Sequence, residues 1–154
     1  MVAKTLVVFL LALMASPARA ELAVSVGNGL NATSGSLILA GMRFSANPLF
    51  GKRSYYELSA GGWDGVYGTA LISGARGIEF GGERWRVGGS FGVSLISDTS
   101  AALGSAFQFT EHVQVAYRLR RSEMGAFYRH WSNASLKEPN LGVDFAGLIA
   151  TYRW

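Results

Sequence analysis

From residue 21 onward the chain alternates apolar with small or polar side chains at a period of two. Nowhere in that stretch does it gather the roughly 18 consecutive apolar residues that a spanning helix needs. Period two belongs to strands with two unlike faces. Between Arg84 and Leu95, one face holds Trp85, Val87, Phe91, Val93 and Leu95 with Gly89; the other holds Arg84, Arg86, Gly88, Ser90, Gly92 and Ser94. Between Phe107 and Leu119, Phe107, Phe109, Val113, Val115, Tyr117 and Leu119 oppose Gln108, Thr110, His112, Gln114, Ala116 and Arg118, and Glu111 is the one charge on the apolar face. A soluble sandwich would turn such apolar faces inward and a barrel in lipid would turn them outward. A charged content of only 16% and a mean hydropathy of +0.22 favour lipid. A chain that enters a membrane without a spanning helix is left with a closed β-barrel.

The alternating segments number eight, at 21–27, 36–46, 53–63, 69–80, 83–96, 105–119, 123–133 and 143–154. Between them lie turn-forming residues, among them Asn47-Pro48, Asp64-Gly65, Gly81-Gly82 and Arg120-Arg121-Ser122. The fold expected is an all-β, eight-stranded antiparallel transmembrane barrel of the bacterial outer membrane. Its interior is filled by side chains, which excludes a transport pore. Arg43, Glu57, Arg84, Arg86, His112 and Arg118 fall on inward positions, where they pair with one another or with water. Arg76 breaks the pattern, sitting on the face of Ile72, Ile78 and Phe80, which points to a bulge or a rim position.

Residues 1–20 read as an export signal. Lys4 charges the start, Leu6 to Ala15 is a short apolar run, and Ala18-Arg19-Ala20 is an A-x-A cleavage signature. Residues 21–154 are then the barrel. Losing Lys4 and Arg19 leaves 12 basic against 10 acidic residues, so the high pI is no argument for nucleic acid. The absence of cysteine excludes a thiol nucleophile and thiolate-ligated metals.

Two motifs suggest chemistry that their setting denies. Gly88-Gly89-Ser90-Phe91-Gly92 matches the G-x-S-x-G elbow, but it lies mid-strand and not at a strand-to-helix turn. Gly27 to Ala32 matches a weak dinucleotide pattern with no βαβ unit around it.

The segment His130-Trp131-Ser132-Asn133-Ala134-Ser135-Leu136-Lys137-Glu138-Pro139-Asn140 is of another kind. It is polar, follows a strand, and gathers His, Ser and Asn. Here the chain resembles the PagL family of outer-membrane lipid A 3-O-deacylases, whose pattern is close to H-x-S-N-A-G-x-K-x-P-N-x-G followed by an acidic residue. His130, Ser132, Asn133, Ala134, Lys137, Pro139, Asn140 and Gly142 match it, with Asp144 at the acidic position. The resemblance implies a serine esterase: Ser132 as nucleophile, His130 as general base and Asp144 as the acid that orients the histidine. Asn133, Ser135 and Asn140, or nearby backbone N–H groups, are the candidates for holding the oxyanion or positioning substrate. Asp144 stands where the family has Glu, one methylene longer. Ser135 stands where the pattern has Gly, so a backbone N–H offered there sits on a more restricted residue.

The periodicity agrees with this placement. Met124, Ala126, Tyr128, His130 and Ser132 share one face of the seventh segment, and Asp144 shares the face of Leu148, Tyr152 and Trp154 in the eighth. If those faces meet lipid, all three polar residues point outward at the external rim. Glu111 then lies opposite the His130–Ser132 stretch, where it assists the triad, rivals Asp144 or is a tolerated charge. Lys137 fits either a lipid A phosphate or a solvated loop. No metal or cofactor is called for. The partners expected are lipid A or lipopolysaccharide, outer-membrane lipid and, as an open alternative, a second copy of the chain. Two rival readings stay open: a non-enzymatic barrel serving adhesion or envelope structure, and a related outer-membrane phospholipase or acyltransferase.

Overall fold

The computed structural model describes residues 20–31, 35–66, 68–99 and 102–154; the expected signal peptide therefore lies outside the described residues except for Ala20. Eight strands form one closed antiparallel barrel in chain order: β1 (Ala20–Gly29), β2 (Ser36–Leu49), β3 (Lys52–Trp63), β4 (Thr69–Gly81), β5 (Trp85–Ile96), β6 (Phe107–Leu119), β7 (Ser122–Ser132) and β8 (Val143–Arg153). Closure between β1 and β8 pairs Val24 with Ala150 and leaves no unpaired edge. The outward positions carry an exposed apolar belt that includes Val24, Ile72, Val87, Val113 and Leu148. Three connections are short turns and the four at the other end are longer. In barrels of this kind the short turns are periplasmic and the longer loops external. Phe80, Trp85, Tyr117, Tyr152 and Trp154 ring the periplasmic end as an aromatic girdle.

Several strand ends shift by one to three residues from the sequence reading, and two of the shifts move a turn or an inward residue. The break expected at Asn47-Pro48 is instead a β-bulge between Ala46 and Leu49, which accommodates a proline that has no N–H to donate. The chain turns later, at Phe50 and Gly51, both with positive φ as a tight two-residue hairpin requires. Arg84 is exposed in the turn before β5 and does not point into the barrel. No bulge relieves Arg76, because the β3–β4 and β4–β5 registers run unbroken through it.

The interior is divided along the barrel axis. The periplasmic half is ionic. Glu21 pairs with Arg53 and Arg153, Glu123 with Arg86 and Arg118, and Glu79 with Arg53 at 3.1 Å. Deeper in, Glu57 accepts from Arg43 Nε and Arg129 Nη2, both at 2.8 Å, while Arg43 Nη2 also donates to Gln114 at 2.9 Å. His112 is buried beside this network and packs on Phe127. The external half is an apolar plug built on Leu37, Leu39, Leu71, Ile96, Phe127 and Ile149. Trp63, Trp131 and Phe145 pack mutually there with ring centroids 5.3–5.8 Å apart, and Trp131 Nε1 donates to Ser94 Oγ at 3.0 Å. This plug sits directly under the ends of β7 and β8.

Candidate active site

Alternation sets the site. Trp131 points inward and is fully buried, so its neighbours His130 and Ser132 must point outward. Burial of the indole in the plug therefore fixes the strand end that carries both polar residues. The registers place His130 opposite Glu111 on β6 and opposite Asp144 on β8, while Ser132 lies opposite Phe109. His130 and Asp144 stay partly exposed at the external rim, at 28% and 25%.

His130 Nδ1 lies 2.7 Å from Asp144 Oδ1. The shorter acid thus reaches the ring. With Nδ1–H donated to the carboxylate, Nε2 is left as the basic nitrogen, which is the tautomer that can deprotonate a serine. Ser132 Oγ bonds to no group among the described residues. Two positions along a strand separate it from His130, a Cα spacing of roughly 6.6 Å, so a serine rotamer sets whether Oγ meets Nε2. Gly142 closes the other side of the ring: its φ is +71°, and a Cβ there would lie 2.6 Å from His130 Cε1. Glu111 is exposed beside the ring and makes no ion pair among the described residues.

Asp144 is held from several directions. Tyr128 donates its hydroxyl to the same Oδ1 at 2.5 Å, Asn31 adds a side-chain hydrogen bond, and Leu30 N–H donates to the Asp144 carbonyl at 2.8 Å. Sequence reasoning missed both Tyr128 and Asn31 as site residues. Tyr128 carried a signal, since it shares the outward face two residues before His130. Asn31 carried none, because its approach depends on β1 closing against β8.

The loop after Ser132 explains the asparagines. Asn133 is fully buried; its N–H donates to Asn140 Oδ1 at 2.8 Å, and its Nδ2 donates to the Lys137 carbonyl at 2.6 Å. Both amide side chains thus brace the loop, and the one on Asn133 offers no surface to a substrate. Leu136 N–H closes a turn on the Asn133 carbonyl at 3.0 Å, with Ala134 and Ser135 both left-handed at φ +51° and +58°. That pattern is the primed hairpin turn, which favours glycine at its second central position, where Ser135 sits. The N–H groups of Ala134 and Ser135 donate to nothing among the described residues. Gly104 and Leu141 N–H groups then stitch this loop to the one between β5 and β6, at 2.7 and 2.9 Å. Lys137 is exposed.

Comparison with known proteins places the chain in a family and a fold. The lipid A deacylase PagL of Bordetella bronchiseptica (strain ATCC BAA-588 / NCTC 13252 / RB50) is 42% identical over 77 residues, a stretch covering 47% of this chain and 43% of that protein. The chain thus matches less than half the length of that relative. Among solved structures, the outer membrane enzyme PagL superposes with a TM-score of 0.66 at 22% identity, over 86% of this chain and 98% of that one. The N-terminal β-barrel domain of Pseudomonas aeruginosa OprF gives a TM-score of 0.66 at 15% identity, over 88% and 96%. These likenesses establish the fold. The model of the family described as lipid A 3-O-deacylase (PagL) matches residues 19–153, nearly the whole barrel, and the chain therefore belongs to the PagL family.

Proposed function

We propose that this chain is an outer-membrane serine esterase that hydrolyses the ester-linked acyl chain at the 3-position of lipid A. The observation that carries the reading is the His130–Asp144 hydrogen bond at 2.7 Å on the lipid-facing rim, with Ser132 on the same face. Polar side chains turned toward lipid are costly at depth and gain a purpose at the interface, where an acyl ester arrives from the membrane itself.

His130 Nε2 takes the Ser132 proton as Oγ attacks the ester carbonyl, and Asp144 stabilises the imidazolium formed. The tetrahedral oxyanion is met by the unengaged N–H groups of Ala134 and Ser135, while Asn133 and Asn140 hold those groups in place. Collapse breaks the bond to the sugar oxygen, which takes the proton from His130 and departs as a hydroxyl, and leaves an acyl-Ser132. Water, deprotonated by the same nitrogen, then releases the fatty acid and restores the serine. Lys137 stands on the loop beside this site, where a phosphate of lipid A is a fitting partner. Residues 1–20 serve in this reading as the export signal.

The test is mass spectrometry of lipid A from cells that express wild type or Ser132→Ala at matched outer-membrane levels. Loss of one acyl chain with wild type alone supports both the activity and the nucleophile. Equal loss with both keeps the activity and discards Ser132. No loss with either, repeated on detergent-solubilised barrel, overturns the reading in favour of a binding or structural barrel.

A further inference from the structure

Arg76 faces outward from β4, within the apolar belt and four residues short of Phe80 in the periplasmic girdle. At strand rise and barrel tilt its Cα lies roughly 9 Å inside that interface, within reach of a guanidinium that points toward it. The side chain does so. It crosses the Tyr56 ring, with Cζ 5.3 Å from the centroid, and Nη2 donates to the Asn47 carbonyl at 3.3 Å near the periplasmic end of β2. No carboxylate pairs with Arg76 among the described residues, and its Nε has no hydrogen-bond partner. Lys52, exposed at the periplasmic start of β3 on the face that carries Tyr56, supplies a second cation at the same end.

Beside Arg76 the wall is hollowed. A groove of about 300 Å³ runs over Gly74 between Leu58 and Tyr56 on β3 and Phe91 and Val93 on β5. Packing does not demand glycine there, because a Cβ at Gly74 would meet only Leu58 Cδ2 at an ordinary 3.6 Å. The wall thus offers an apolar slot that starts next to an unneutralised cation and extends toward the bilayer centre. That is the shape and charge of a phosphate with an acyl chain attached, entering from the inner leaflet.

We propose that the periplasmic half of the β3–β5 wall binds one anionic glycerophospholipid of the inner leaflet, its phosphate on Arg76 and Lys52 and an acyl chain in the groove over Gly74. This site lies on other strands than Ser132 and is independent of the esterase reading; it rests only on the barrel spanning a membrane. A zwitterionic phospholipid fills the slot equally well but gains less from the two cations, so the site prefers phosphatidylglycerol to phosphatidylethanolamine.

Native mass spectrometry of the full-length folded barrel, incubated with an equimolar mixture of those two lipids, tests the proposal. Wild type is expected to retain one phosphatidylglycerol in preference. Arg76→Gln and Lys52→Gln are each expected to lower that retention about fivefold, the effect of one basic residue at an anionic lipid surface. Gly74→Leu, which fills the groove and leaves both cations, is expected to lower it as well. Equal retention of the two lipids by wild type, or Arg76→Gln and Lys52→Gln barrels that bind as wild type does, overturns the proposal. Heat-modifiable gel mobility establishes that each variant compared is folded, and Lys52→Gln, at the strand end, keeps the test open if Arg76→Gln fails to insert.

Discussion

Tyr128 donates its hydroxyl to the same Asp144 oxygen that receives the His130 ring, at 2.5 and 2.7 Å respectively. One carboxylate oxygen thus serves two donors on one strand, two residues apart. In the proposed reaction the phenol acts through Asp144, by fixing the rotamer of an acid shorter than the glutamate of the family pattern. Tyr128→Phe is expected to lower kcat about tenfold, the loss of one hydrogen bond to a charged group, with KM little changed. Detergent-based turnover of lipid A at several substrate concentrations separates the two parameters. A change confined to KM would place Tyr128 in substrate binding and not in the support of Asp144.

Glu111 and Asp144 flank His130 on opposite sides, and only Asp144 is bonded to the ring. Register alone therefore does not distinguish the two carboxylates; the hydrogen bond is what favours Asp144 as the acid of the proposed triad. Asp144→Asn is expected to reduce kcat by about 10⁴, because an amide no longer stabilises the imidazolium or enforces its tautomer. Glu111→Gln is expected to stay within about twofold of wild type, as for an exposed charge that makes no ion pair among the described residues. The reverse ranking would make Glu111 the acid.

That His130 and Ser132 share a face was legible from period two. That this face is the outward one rested on reading the faces of Met124–Tyr128 and of Leu148, Tyr152 and Trp154 as lipid-facing, and the structure buries Trp131, between the two, on the other side. The approach of Asp144 was legible from antiparallel pairing across one loop. What stayed hidden depended on contacts remote in sequence or on the conformation of single residues. Asn31 reaches Asp144 only across the β1–β8 seam, and a strand list does not say which rims meet there. The asparagines of the motif looked like oxyanion donors, yet Asn133 is buried and braces its own loop. Arg84 alternated as an inward residue, but the strand starts one position later, in the turn geometry that pattern reading locates least well. The division of the interior into an ionic half and an apolar plug was invisible for another reason: inward residues of any one strand are small and mixed, and the segregation emerges only when eight strands are staggered.

Glu57 holds the centre of the ionic half, bonded to Arg43 and Arg129 on either side. All three are nearly fully buried. Glu57→Ala strands two guanidinium groups in the barrel interior, a loss of about 3–5 kcal/mol for a broken buried pair. The midpoint of urea unfolding in lipid vesicles is expected to fall accordingly. Because the site rests on the apolar plug and not on this network, the activity of the folded fraction is expected to persist. Activity that falls while the unfolding midpoint holds would show that the two halves of the interior are coupled.

Ser135 offers the opposite sign. It is held at φ +58° in a turn whose geometry suits glycine. A non-glycine residue in that region costs about 1–2 kcal/mol, and glycine relieves that strain but forfeits about 0.5–1 kcal/mol through the greater entropy of the unfolded chain. Ser135→Gly is therefore expected to stabilise the barrel by about 0.5–1 kcal/mol, seen as a raised urea midpoint. The backbone N–H that we assign to the oxyanion keeps its place, because the turn already has the conformation that glycine prefers. Turnover is thus expected to hold or rise. If kcat drops while stability rises, the serine side chain itself touches the substrate, and the oxyanion role passes from the Ser135 backbone to its hydroxyl.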